Sequence, residues 1–127
     1  MEALIQDVNW VAVVVGAVLA FLAGWLWYSD SLFGEKWRAG IGITVDDNSP
    51  MAHAMLAQGV GTFLLAWVIG ITETTGAIEF AVLIALTIAV LMKAGGFFAQ
   101  HSKYAIMVNS IYVLVMVAIM IATHAVL

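Results

Sequence analysis

AVLIALTIAVLM, residues 81–92, decides the class of this chain. It holds one hydroxyl, Thr87, and no charge. A half-buried strand alternates apolar and polar residues, and this stretch does not. A membrane β-barrel strand needs the same alternation, so that architecture fails too. A buried helix remains. Followed outward, the apolar run extends from about residue 77 to 98. A helix crossing a bilayer needs roughly 20 mostly apolar residues, and this run supplies them.

Three more runs of that kind occupy about residues 8–28, 52–72 and 104–126. Lipid offers no partner to open backbone groups, so each is expected to be helical. Composition agrees. The 127 residues are 65% hydrophobic and 9% charged, against about 25% charged in soluble domains. Mean hydropathy is +1.09. The expected fold is an all-α membrane protein, a single domain over residues 1–127 with four transmembrane helices.

The same numbers exclude several functions. There is no Cys, so disulfide, zinc-thiolate and dithiol redox chemistry are out. The net charge is −4 and no basic run exists to neutralise phosphates, so no nucleic-acid partner is expected. The opening MEALIQDVNW carries Glu2 and Asp7 where a secretory signal needs positive charge. The first run is therefore read as a retained span.

Orientation follows from Lys and Arg. Lys36 and Arg38 lie between the first two runs, and Lys103 lies between the last two with Lys93 nearby. Glu2, Asp7, Glu73 and Glu79 fall at the opposite ends of the spans. The expectation is a bacterial inner membrane protein with both termini outside and the basic loops in the cytoplasm.

The segment GWLWYSDSLFGEKWR, residues 24–38, then becomes readable. Trp25, Trp27 and Tyr28 close the first span, and Trp10 opens it. Rings at a membrane boundary put their apolar body among acyl chains and their N–H or O–H among headgroups. Beyond Tyr28, Leu32, Phe33, Trp37 and Ile41 recur at helical spacing, with Glu35, Lys36 and Arg38 between them. That pattern predicts a short amphipathic helix over about residues 31–41, lying in the interface and ended by Gly40 and Gly42. Trp10, Trp25, Trp27, Tyr28 and Trp37 are thus the expected interfacial anchors. TVDDNSP, residues 44–50, reads as a polar turn. Ser49 and Pro50 suit the start of the second span.

Small residues mark packing faces. Ala12, Gly16, Ala20 and Gly24 recur every fourth residue along the first span. Such rows let backbones approach closely in a bilayer, within the chain or against a second copy. Shorter rows are Ala57 with Gly61, Ala66 with Gly70, Ala81–Ala85–Ala89, and Ser110 with Ala118 and Ala122. FLAGWLWYSD and LMKAGGFFAQ both place Ala-Gly before aromatics, a match too short to establish a duplication.

Polar groups inside a membrane are expensive and so are candidate sites. Lys93, Gln58 and Asn109 form the candidate intramembrane polar set. Lys93 could face an anionic substrate; the simpler reading is a lysine snorkelling to the boundary, helped if Gly95 and Gly96 end the helix early. Gln58 and Asn109 could bind a ligand; the simpler reading is hydrogen bonding across helices. Thr62, Thr87 and Ser110 can bond to their own helix. His53, His101 and His124 lack any paired metal-ligand spacing. Asp46, Asp47 and Asn48 lack the rest of a calcium loop. Glu73 and Glu79 flank a turn and read as solvated charges. Nucleophile-elbow, phosphate-loop and dinucleotide signatures are missing from the sequence. No catalytic, cofactor or metal residue is assigned, and no cofactor is expected.

Asn9-Trp10, Val13, Phe21, Gly24, Trp27-Tyr28-Ser29, Phe33-Gly34 and Trp37 together resemble the opening of the domain of unknown function 1761 family. These are small integral membrane proteins of bacteria and fungi. The resemblance is specific over about residues 9–42 and is mainly one of hydropathy beyond. It implies four membrane helices and carries no activity or ligand residues. The family often has proline after Trp-Tyr-Ser; here Asp30 follows, so Asp30 or Ser31 is expected to cap the interfacial helix.

Two functions fit these readings. One is a non-enzymatic structural or accessory subunit that sits in the lipid bilayer and forms a homo-oligomer or joins a larger membrane complex. The other is a small oligomeric transporter or channel with a polar path near Lys93, Gln58 and Asn109. Whether those three share one lumen or make separate bonds distinguishes the two.

Overall fold

The computed structural model describes residues 2–42 and 51–127. Six helices appear in order: α1 (Glu2–Ile5), α2 (Trp10–Trp27), α3 (Gly34–Ile41), α4 (Met51–Thr74), α5 (Ile78–Phe98) and α6 (Lys103–Val126). Among them α2, α4, α5 and α6 are long and apolar enough to cross a membrane. Their bounds fall within two residues of the runs read from sequence, because hydropathy fixes where lipid-compatible chain begins and ends. The expected polar turn, its Ser49–Pro50 start signal and the Asp46–Asn48 cluster lie outside the described residues.

Local chemistry sets several ends. The Asn9 carboxamide oxygen accepts from the Ala12 N–H at 3.1 Å and opens α2. Ser102 does the same for α6 through Ala105 N–H, also at 3.1 Å. The α4–α5 turn is tight because Gly76 takes a left-handed φ of 69°. Gly76 N–H then donates to Glu73 O at 3.0 Å and Ala77 N–H to Thr72 O at 3.3 Å, the paired bonds that close a helix C-terminus.

Three expectations need correction. First, α3 begins at Gly34, not near residue 31, and neither Asp30 nor Ser31 caps it; Phe33 holds the cap position without a side-chain bond. Residues 28–33 instead form a tight turn, with Gly34 N–H donating to Ser29 O at 2.9 Å. Asp30 pairs with Arg38 one turn into the helix. Second, Gly40 does not end α3. Its carbonyl accepts from Ser102 N–H at 2.8 Å, and a side chain there would overlap Ser102 and Ala105. Third, Gly95 and Gly96 do not end α5, which continues to Phe98. Gly96 is buried against Ile106 of α6, where a Cβ would come within 2.6 Å.

The long helices run up, down, up and down, with α6 at the centre. α2 and α5 flank it, and α4 packs on α2 and touches α6. Helix α6 is half buried over its apolar window, while α4 and α5 are mostly exposed. The core joins Val13, Ala20, Ala66, Ile69, Val113 and Met120. The four-residue α1, unannounced in the sequence, is too short to form alone. Trp67 of α4 holds it by donating to Leu4 O at 2.6 Å.

The row Ala12, Gly16, Ala20 and Gly24 is wholly buried. It faces α6 of the same chain. A Cβ on Gly16 would meet Met120 Cα at 3.5 Å, and the Tyr112 hydroxyl donates to Ala20 O at 2.7 Å. Ala81, Ala85 and Ala89 are buried likewise. Ala66 and Gly70 are buried, whereas Ala57, Gly61, Ala118 and Ala122 are exposed. Small size permits close approach but does not compel it.

Candidate functional site

Four contacts place one end of the bundle. Trp27 meets Val108, Tyr28 meets Asn109, Gly40 meets Ser102 and Gly96 lies on Ile106. Lys36, Arg38, Lys93 and Lys103 all belong to this end. Gly70 approaching His124 and Val8, with Trp67 on Leu4, mark the other. Glu2, Asp7, Glu73 and Glu79 belong there, each exposed.

The basic end holds the densest polar cluster. Asn109 of α6 is its centre. Its side-chain oxygen accepts from the Tyr28 hydroxyl at 2.7 Å and from the Trp37 indole at 2.8 Å. The indole has only a donor, so the amide oxygen must face it. Tyr28 and Trp37 rings pack at 4.6 Å, and Tyr28 meets Tyr112 edge-on at 5.4 Å. Trp27 donates to Val108 O at 3.1 Å and packs on Phe33 at 4.6 Å. A quarter of the chain, from α2 through α3, is thus sewn to one turn of α6.

That arrangement corrects the expected headgroup contacts of Trp27, Tyr28 and Trp37. Their polar ends turn inward to α6. The cause is α6, which supplies Val108 O and the Asn109 amide oxygen. Packing of α2 on α6 brings them within reach of Trp27 and Tyr28, and the return of α3 brings Asn109 within reach of Trp37. An unmatched N–H or O–H there would be costly. Trp25 and Trp10 are exposed, at 68% and 38%. Trp10 also packs on Trp67 at 5.4 Å.

Gln58 makes a separate bond. Its amide donates to Thr62 Oγ1 at 3.1 Å, one turn on in α4, and lies 4.0 Å from the Met116 sulfur of α6, a long and weak acceptor. Lys93 continues the row Ala81–Ala85–Ala89 by one more turn and is half buried. Among the described residues no hydrogen bond joins Lys93, Gln58 and Asn109 to one another. Thr87 bonds to Leu83 O, four residues back in its own helix, as read from sequence. Ser110 bonds to Met107 O, three residues back, and Thr62 instead directs its hydroxyl to the Met116 sulfur of α6 at 3.9 Å.

Sequence reasoning overlooked one group, Tyr112, and weighed another, His124, only as a metal candidate. Tyr112 is buried and ties α2 to α6 through Ala20 O. Its spacing from Asn109 and Met116 places all three on one face of α6, a signal that could have found it. His124 is 7% exposed, and both ring nitrogens are buried without a partner among the described residues. The described residues hold no cluster of three His, Asp or Glu able to ligate a metal.

Comparison with known proteins is narrow. No curated protein and no solved structure matches the chain. The model of the family described as protein of unknown function (DUF1761) matches residues 11–125, nearly the whole chain, from the second residue of α2 to the last residue but one of α6. The resemblance carried by Trp27-Tyr28-Ser29, Phe33-Gly34 and Trp37 therefore extends across all four spans, and the chain belongs to the DUF1761 family.

Proposed function

We propose that this four-span protein is a non-enzymatic structural or accessory subunit, one that self-associates or joins a larger complex in a bacterial inner membrane. The observation that carries this reading is the separation of its intramembrane polar groups. Asn109 is engaged by Tyr28 and Trp37, and Gln58 by its own helix neighbour Thr62. Above them Ala66, Ile69, Val117 and Met120 fill the core. A transport path would need those groups to share a wet lumen. Satisfied, separated bonds serve bundle architecture instead. The loops between the described helices are also too short for a soluble catalytic unit.

The small-residue row is spent inside the chain, so association uses other surfaces. Leu83, Leu86, Val90 and Leu91 expose a continuous apolar face on α5. The test is extraction of the native protein in mild detergent followed by native mass spectrometry. A stoichiometric assembly or a homo-oligomer is the expected result. A bare monomer would overturn the proposal. A homo-oligomer retaining a small polar solute would favour the transport reading and make Lys93 the first residue to replace.

A further inference from the structure

We propose that the basic end binds the headgroup of an anionic phospholipid between Lys36 and Lys103, with an acyl chain lying along the exposed stripe of α6. The two lysines come from elements far apart in sequence, and each adjoins Tyr104, one in space and one along the chain. Lys36 Nζ sits 5.5 Å from the Tyr104 ring centre. Lys103 immediately precedes Tyr104 at the first position of α6. Both lysines are exposed.

Their placement is built rather than incidental. Helix α3 has only eight residues, so nothing local would hold Lys36 over α6. Three ties do so. Ser102 N–H donates to Gly40 O, Gly40 lies against Ser102 and Ala105, and the Trp37 indole reaches Asn109. Charge complementarity selects the ligand. Arg38 is engaged by Asp30, and Glu35 is the remaining acidic group at this end among the described residues. Lys36 and Lys103 are left to meet a phosphodiester.

The apolar part of the site selects a lipid over a free anion. Tyr104, Met107, Ile111 and Leu114 follow each other at helical spacing, and all are exposed. They form a track leading away from the two lysines along the central helix, between α2 and α5. A cationic head above an apolar track has the shape of an anionic amphiphile. Juxtamembrane lysines favour anionic lipid, less where salt screens them.

The experiment reconstitutes the full chain in vesicles of equimolar phosphatidylcholine and phosphatidylglycerol. The protein is moved to mild detergent, and retained lipids are counted by native mass spectrometry. A preference of about tenfold for phosphatidylglycerol is expected. The K36Q/K103Q double variant should bring it near parity, and K36R/K103R should restore it. Each single Gln variant should lose roughly threefold, which keeps the test informative if the double variant misfolds. Equal retention of the two lipids by the native chain would overturn the proposal. So would an undiminished preference in the Gln variants, failure of Arg to rescue, or displacement of the lipid by excess inorganic phosphate.

Discussion

The hydroxyl of Tyr112 occupies the space that a side chain on Gly24 would need. It is fixed there by donating to Ala20 O at 2.7 Å. A single methyl at residue 24 therefore pushes on an anchored aromatic ring, not on a flexible side-chain tip. Gly24→Ala should destabilise the bundle by about 1–3 kcal/mol, the usual range for overpacking. Gly61→Ala is the control. A Cβ there meets nothing within 4 Å, so stability should hold or rise by a few tenths of a kcal/mol. Denaturant unfolding in detergent separates the two. Equal effects would mean that the α2–α6 contact is not close-packed.

Asn109 links two segments that depend on it differently. Tyr28 extends a long, well-packed helix, whereas Trp37 belongs to the short α3. Asn109→Leu removes the acceptor for both at once and leaves two partly buried donors unmatched. A loss of about 1–3 kcal/mol is expected. Hydrogen exchange should rise in α3 far more than in α2, because α3 has few other ties. Asn109→Asp keeps an acceptor oxygen and should preserve much of the protection of α3. Uniform loosening of the whole bundle by Asn109→Leu would contradict this role.

The spans were legible in the sequence because each residue's hydropathy speaks for itself. Runs such as AVLIALTIAVLM need no knowledge of their neighbours. Pairing is a different matter. The row Ala12–Gly16–Ala20–Gly24 declared a close contact but could not declare its partner, since small residues carry no address. Asn109 was readable as a cross-helix hydrogen bonder, yet its partners stand 81 and 72 residues away. Local patterning contains nothing at that range. The aromatics misled for a related reason. Trp27, Tyr28 and Trp37 have the composition of membrane-boundary anchors, and only the packing of α2 and the return of α3 onto α6 turn their polar ends inward. Conversely, Ala118 and Ala122 looked like a packing row and are exposed.

His124 is a stability liability where it stands. Both imidazole nitrogens are buried beside Gly70 and Val8 with no partner among the described residues. A buried polar group left unmatched costs about 1–3 kcal/mol. His124→Leu keeps a similar volume and removes the unmatched atoms. It should stabilise the protein by about 1 kcal/mol or leave it unchanged. Thermal unfolding in detergent reads the sign. A clear loss of stability would mean that the imidazole has a partner that this chain does not supply, and a loss confined to activity or assembly would make His124 a functional residue.

The two ends of the bundle differ in charge, and that difference makes the proposed topology testable. The chain has no native Cys, so single cysteines can be introduced without background. Glu79→Cys places a thiol in the exposed first turn of α5 at the acidic end. Lys103→Cys places one at the exposed start of α6 at the basic end. With basic residues held in the cytoplasm, a membrane-impermeant maleimide applied to intact spheroplasts should label the first. The second should react only after permeabilisation. The reverse pattern would place the termini inside and put the Lys36–Lys103 pair against the outer leaflet. Labelling of both without permeabilisation would mean that at least one of the four apolar helices does not span.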